Sequence, residues 1–326
     1  MKTVRPAVLH ARFGILLACL AAVALAACHH SSGPRTAFDG QAAYAMVKTQ
    51  VAFGPRVPGT QGWRKTGAWI VARLEALGDS VTERRWRHVT PSGDTIPMHD
   101  IVAHIAPSNP RRVLYLAHWD TRPTADNDPV LGNQKRPIPG ANDGASGVAL
   151  LLQVAAALNK TPPDVGVDLL FVDGEDYGDF SRWSDTASDP NVLIGSTHYA
   201  AHMDTTRKPL FGVLWDMIGD RDLDIHQEAN SARAAPDVVA RVWKTARQLG
   251  YSKYFIDDVG ESVVDDQMPF LRRGVRVIDV IDYDYGPRDA MHRDGWHHTL
   301  EDTPDKVSAT SLQVVGDVAV ELVTGG

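Results

Sequence analysis

A chain of 326 residues, 44% hydrophobic and 22% charged, has the composition of an ordinary globular protein and enough length for a well-buried α/β core. Its formal charge is -7. Residues 1–27 carry Lys2, Arg5 and Arg12 and no acid, so the remainder is more acidic still, which argues against nucleic acid or another polyanion as a partner.

Those three cations precede an apolar run from Phe13 to Ala27, too short for a membrane span and patterned like a secretory signal. The run ends Leu25-Ala26-Ala27-Cys28, which resembles the lipobox of bacterial lipoproteins and implies cleavage before Cys28 and its lipidation. The expected organisation is a signal peptide over 1–27, a short polar tether over 28–38 and a catalytic domain over 39–326. The expected address is the cell envelope, facing the periplasm or the exterior. The other cysteine, Cys19, lies inside the signal. The mature domain therefore has neither a disulfide nor a thiolate ligand, and any metal must be held by histidine and carboxylate, which suits catalytic zinc.

Gln41 to Val51 reads as a first helix. Phe53-Gly54-Pro55-Arg56-Val57-Pro58-Gly59-Thr60 is a loop whose prolines and glycines forbid regular structure. Trp63, Ile70, Leu74 and Leu77 then line one face of a second helix closed by Gly78. Ser80–Arg87 and Asp100–Ala106 are expected strands, the first rich in charge and near an edge.

Val113 to Asp176 organises the rest. Two apolar runs, Val113–Ala117 and Val167–Val172, read as buried strands. Each stops abruptly in polar residues: His118 and Asp120 after the first, Asp173, Glu175 and Asp176 after the second. Between them, Asn142-Asp143-Gly144 leads into Val148, Leu151, Leu152 and Ala155, the spacing of a helix face. Strand, loop, helix, strand is a βαβ unit, with its strands parallel and their carboxyl ends on one side, where ligands bind in open α/β sheets. His118, Asp143, Glu175 and Asp176 are thus expected to converge.

Further along, Tyr177 to Val192 is a polar loop containing Trp183, expected to shape a substrate pocket. Leu210–Leu214 is a third strand, closed by Trp215-Asp216, which adds a carboxylate to the same edge. Pro236 to Leu249 is an amphipathic helix with Pro at its start and Gly250 after its end. Gly274–Ile281 is a fourth strand, and Ser308 begins a last helix. With no repeat and no linker after residue 38, a single domain is expected.

A catalytic metal needs three or four protein ligands and an open position. His118, Asp143, Asp176 and Asp216 are candidates, and Trp296-His297-His298-Thr299 can add a histidine. Glu175, beside Asp176, is placed to move protons.

In order along the chain, His118-x-Asp120, Asn142-Asp143-Gly144-Ala145-Ser146-Gly147, Gly174-Glu175-Asp176, Asp216 and His298-Thr299-Leu300-Glu301-Asp302-Thr303 resemble the motifs of the M28 zinc peptidase clan. Within that clan, the Phe53–Thr60 loop and Asp265-Asp266-Gln267-Met268-Pro269-Phe270-Leu271-Arg272-Arg273-Gly274-Val275 look more like glutaminyl-peptide cyclotransferases than aminopeptidases. Ala117-His118-Trp119-Asp120-Thr121-Arg122-Pro123 and Glu175-Asp176-Tyr177-Gly178 are similar to the bacterial branch of those cyclases.

The resemblance implies an α/β domain whose central twisted, mostly parallel mixed β-sheet is flanked by helices on both faces. It implies zinc held by Asp143, Asp176 and His298, with Glu175 as general acid and base. Asp216 and Asp266 would be inner-site carboxylates, while in a two-zinc peptidase Asp216 and His118 would take a second metal. Trp183 and Trp296 would be pocket aromatics, and peptide or protein N-termini the substrates. Two positions depart from the cyclase pattern: Gln267 stands where His is common, and His297 where Trp directly precedes the ligand. Three readings stay open at this point: a cyclotransferase with one zinc, an aminopeptidase with two, and a lipid-anchored binding module that keeps the fold, which the intact Glu175 disfavours.

Overall fold

Asp39 and Thr60 start the first two helices of the computed structural model, which describes residues 1, 36–180, 189–204, 206, 208–289 and 295–325. The expected signal, Cys28 and Trp183 lie outside the described residues. The Asp39 carboxylate accepts the Ala42 N–H to begin α1 (Gly40–Ala52). The Thr60 hydroxyl accepts the Trp63 N–H to begin α2 (Gln61–Ala76), capping contacts that satisfy otherwise orphaned donors. Strand β1 (Ser80–Val89) pairs antiparallel with β2 (Thr95–Ile105). β2 starts five residues before the expected Asp100, because the Val89↔Thr95 end of the hairpin carries the pairing outward past the apolar run.

Next come β3 (Arg112–His118), α3 (Ala145–Lys160) and β4 (Gly166–Val172), and β3 and β4 are parallel with His118 opposite Val172. After α4 (Ile194–His202), β5 (Gly212–Asp216) pairs parallel with β3. A small parallel pair, β6 (Ile225–Gln227) and β7 (Phe255–Val259), brackets α5 (Ala229–Ala234) and α6 (Pro236–Gln248). The chain closes with α7 (Gln267–Leu271), β8 (Val277–Ile281) and α8 (Ala309–Thr324).

The main sheet has the order β1-β2-β4-β3-β5-β8, with β2 antiparallel to both neighbours and the four strands from β4 to β8 parallel. β1 is an edge strand, as its charge predicts. Alternate residues of β3 bury into opposite layers, as the period of two requires. Val113, Tyr115 and Ala117 join α1, α3 and α8 in one core, while Leu114 and Leu116 join Tyr199 of α4 and Phe270 of α7 in the other. The architecture is the expected mixed, mostly parallel α/β sheet with helices on both faces, and Thr36–Gly326 form one compact unit.

Sequence patterning misplaces the starts of β5 and β8 as well as that of β2. Leu210 precedes β5, and Gly274, at φ 69°, belongs to the turn that ends α7 rather than to β8. It misses α4, α5, α7 and the β6–β7 pair altogether. These pieces are short, and their stability comes from packing rather than from periodicity.

Candidate active site

The parallel strands β3, β4 and β5 deliver their carboxyl ends to one edge, and each ends in, or is followed directly by, a titratable side chain. His118 is the last residue of β3 and Asp216 the last of β5. Asp143 lies in the loop entering α3, and Glu175 and Asp176 follow β4. Successive residues of an extended segment would face opposite ways. Gly174 removes that obstacle by turning at φ 69°. A Cβ there would come within 2.9 Å of Met98 Sδ, so the position suits glycine on packing as well as conformation.

Two buried carboxylates hold these loops from behind. Asp120 accepts the backbone N–H groups of Glu175 at 3.1 Å and Asp176 at 3.3 Å. Asp302 accepts those of Asn142 at 2.8 Å and Asp143 at 3.3 Å, and also the Tyr285 hydroxyl at 2.6 Å. Arg56, fully buried, donates to the carbonyls of Trp119, Pro139 and Gly140. It thereby crosslinks the loop after β3 to the one carrying Asp143. Asp120 and Asp302 stood inside quoted motifs and Arg56 inside the Phe53–Thr60 loop, which was read as irregular and as resembling the cyclases. None had a role from sequence, because their partners are distant in the chain.

The facing side chains are close. His118 Nε2 lies 3.1 Å from both Asp143 Oδ1 and Asp216 Oδ1. His298 Nε2 lies 3.1 Å from Asp176 Oδ1 and 3.7 Å from Asp143 Oδ2. Glu175 Oε2 is 3.8 Å from His118 Nδ1. Arg122 donates to Asp176 Oδ1 at 3.0 Å while gripping Asp126 with two nitrogens. His298 has φ 55°, a region that costs a side chain about 1–3 kcal/mol. Neighbours across the fold hold it there: Asn127 N–H donates to the His298 carbonyl, and Leu300 N–H to Asp128.

The electrostatics follow from burial and crowding. Burial, with Asp176 next to it and Asp265 and Asp266 behind, pushes Glu175 well above the usual carboxylate range. Burial lifts Asp266 to about 7 and drives Asp265 well up, the latter helped by Asp216 and Asp266. Burial would raise Asp176 too, but His298 and Arg122 outweigh it and hold that carboxyl below its ordinary value. Burial and the neighbouring His298 keep His297 neutral.

A metal fits the donor set. Asp143 Oδ2, Asp176 Oδ2 and His118 Nδ1 are buried and find no hydrogen-bond partner, a costly state unless a cation completes it. Two groups could each surround an ion, Asp143 with His297 and His298, and Asp143 with His118 and Asp216, with the donor atoms of each group within 4.8 Å of one another. Asp143 belongs to both. Carboxylates and imidazoles around an open position are the ligands of catalytic zinc.

Over this floor opens a cavity of ≈ 400 Å³, lined by Arg122, Asp143, Glu175, Asp216, His297 and His298 and walled by Phe180, Met217, Val263, Ile281 and Tyr283. The expected inner carboxylates, Asp216 and Asp266, divide. Asp216 lines the cavity, whereas Asp266 is fully buried, and its neighbour Asp265, which had no expected role, lines the cavity instead. Trp296 does not line it either. It packs edge-on against Tyr285 at 5.4 Å, under Lys306, and the described aromatics at the wall are Phe180 and Tyr283. Gln267 turns inward to the Val263 carbonyl and the Met268 N–H.

Residues 100–323 match the family described as Peptidase family M28. The fold superposes on the glutaminyl cyclase of Bacteroides thetaiotaomicron, solved bound to N-acetylhistamine, with a TM-score of 0.81 and 34% identity over 89% of this chain and 98% of that one. A leucine aminopeptidase precursor from Bacteroides thetaiotaomicron VPI-5482 is similar to the same degree, with a TM-score of 0.82 and 34% identity over 90% of this chain and 99% of that one. Aminopeptidase YwaD of Bacillus subtilis (strain 168) is 23% identical over 297 residues, 87% of this chain, which spans 57% of its length.

Proposed function

The chain belongs to peptidase family M28, and on that premise we propose that it is a zinc-dependent glutaminyl-peptide cyclotransferase. In this reading it converts an N-terminal glutamine to pyroglutamate and releases ammonia. The observation that carries the reading is the buried carboxyl group of Glu175, exposed only at the cavity and backed by Asp265 and Asp266. Cyclisation consumes no water and needs one group that takes a proton from the attacking amine and returns it to the departing nitrogen. A zinc ion held by Asp143, Asp176 and His298 would supply Lewis-acid polarisation of the side-chain amide carbonyl.

Within the cavity, the apolar walls from Phe180, Ile281 and Tyr283 would flank a terminal side chain. The α-nitrogen bonds to the glutamine Cδ, and the Cδ–nitrogen bond of the side-chain amide breaks. Glu175 accepts the proton that the α-nitrogen loses and delivers it to the nitrogen that leaves as ammonia. Burial, with Asp176, Asp265 and Asp266 nearby, keeps that proton near Glu175 by disfavouring its ionised form.

A second reading, a two-metal aminopeptidase, is favoured by one observation: His118, Asp143 and Asp216 form a second ligand group sharing Asp143 with the first. Ions held by these residues would supply activation of a water nucleophile. Mass spectrometry of glutaminyl and leucyl peptides after incubation with the purified, zinc-loaded protein separates the two. Loss of one ammonia with every residue retained supports the cyclase; free leucine with glutaminyl peptides unchanged overturns it.

The amino-terminal pattern supports export and a lipid anchor at Cys28, with the enzyme at the cell envelope acting on peptides or proteins outside the cytoplasm. Among the described residues no helix is long and apolar enough to cross a membrane.

A further inference from the structure

Two residues that the proposed chemistry does not use tie the proposed metal ligands together. Arg122, in the loop after β3, is buried, and its guanidinium is divided between two partners. Nη1 donates to the Asp176 carboxylate at 3.0 Å, to the Asp176 carbonyl at 3.3 Å and to the Gly178 carbonyl at 3.1 Å. Nε and Nη2 donate to the two oxygens of Asp126, each at 2.7 Å. Asp126 Oδ1 in turn lies 3.7 Å from His298 Nδ1. The other nitrogen of that ring, Nε2, is 3.1 Å from Asp176 Oδ1 and 3.7 Å from Asp143 Oδ2. Four side chains thus close a circuit, from Asp176 through Arg122 and Asp126 to His298 and back to Asp176.

The circuit matters because Asp126 is a poor anchor by itself. Its side chain is 44% exposed, and an aspartate so placed is free to turn toward water. A planar guanidinium that grips both carboxylate oxygens fixes its direction, which the point charge of a lysine does not. A fixed carboxylate beside Nδ1 favours a proton on that nitrogen and leaves the Nε2 lone pair for a cation shared with Asp143 and Asp176. Metal-bound histidines are typically oriented by such a partner on the second ring nitrogen.

We propose that Asp126 is a positioning residue for His298 and Arg122 is its clamp, so that the loop after β4 and the loop carrying His298 present their metal ligands as one preformed unit. The inference rests on the reading of Asp176 and His298 as metal ligands, and it holds for either proposed reaction.

The test measures zinc affinity by competition with a chromophoric chelator, the visible spectrum of the Co²⁺-substituted protein, and melting of the metal-free protein. Asp126→Ala should weaken zinc binding about 10–100-fold and shift the Co²⁺ absorption. Arg122→Lys, which keeps the charge and loses the fork, should do the same. Adding Asp126→Ala to Arg122→Lys should cost little more than Arg122→Lys alone, because both break one link. Asp126→Asn keeps an acceptor oxygen, so its zinc affinity should be intermediate and its metal-free melting temperature near wild type. Asn127 contributes its side chain only to the His297 carbonyl, at 3.4 Å, and Asn127→Ala should bind zinc as wild type does.

Wild type that binds no zinc overturns the ligand reading and this proposal with it. Wild type that binds zinc, with Asp126→Ala and Arg122→Lys binding it equally well, overturns this proposal alone. So does a loss of affinity matched by Asn127→Ala, or one in Asp126→Asn that comes with an unchanged Co²⁺ spectrum and a lower metal-free melting temperature, since the effect then lies in the fold.

Discussion

The Asp120 carboxylate accepts the Glu175 backbone N–H at 3.1 Å, so the loop after β3 sets the position of Glu175, the proposed proton carrier, beyond the end of β4. The other Asp120 oxygen takes the Asp176 N–H, and one buried side chain thereby aims both the proposed base and a proposed metal ligand. Leaving two buried donors unpaired costs about 1–3 kcal/mol each. Asp120→Ala should therefore lower the melting temperature, zinc affinity and turnover together. Asp120→Asn, which keeps one acceptor, should fall between it and wild type, as melting curves, bound zinc and steady-state kinetics would show.

Glu175→Gln preserves shape and removes the proton acceptor. Zinc content by atomic absorption should stay near wild type while turnover falls by roughly 10²–10⁴, the usual range for general acid–base catalysis. A variant that retains full turnover would remove Glu175 from the chemistry.

Chelation should abolish activity and added zinc should restore it. His298 lies 3.1 Å from Asp176 and 3.7 Å from Asp143, whereas His297 reaches only Asp143, at 4.0 Å. His298→Ala should accordingly lose bound zinc and His297→Ala keep most of it, as measured by metal analysis after dialysis. The opposite pattern would assign the ligand to His297.

Asp79, just past α2, is half-buried, and burial raises its carboxyl to about 6; its Oδ2 has no partner. A folded-state value above the unfolded one means that ionisation penalises the native state. The penalty is absent below about pH 4, grows between the two values and is full above about pH 6. Asp79→Asn should raise the melting temperature at pH 7–8 and leave it unchanged near pH 3.5; equal effects at both would exclude titration as the cause.

Cys28→Ser should shift the expressed protein from the membrane fraction to the soluble fraction. Continued sedimentation with membranes would rule out the lipid anchor.

The sequence read the active edge well because the signals there are local. An apolar β-branched run that stops at a charged residue marks a strand's carboxyl end whatever surrounds it, and His118, Glu175, Asp176 and Asp216 sit at such stops, with Asp143 at the entrance of the helix between the first two strands. Gly174 announced the turn that lets two neighbouring acids face one way. The donor types, too, were accessible from composition, since a domain without cysteine leaves only histidine and carboxylate to hold a metal.

Tertiary structure alone decided which of the remaining polar residues matter. Asp302 supports Asn142 from 160 positions away and Arg56 holds the Gly140 carbonyl from 84, distances over which no local pattern carries information. It turned Trp296 onto Tyr285 and left the described wall to Phe180 and Tyr283. It put Asp265 rather than Asp266 at the cavity, because the short α7 that begins one residue later fixes which of two adjacent acids faces inward. Periodicity along the chain names the strand ends; the packing of loops from different strands chooses the side chains that meet there.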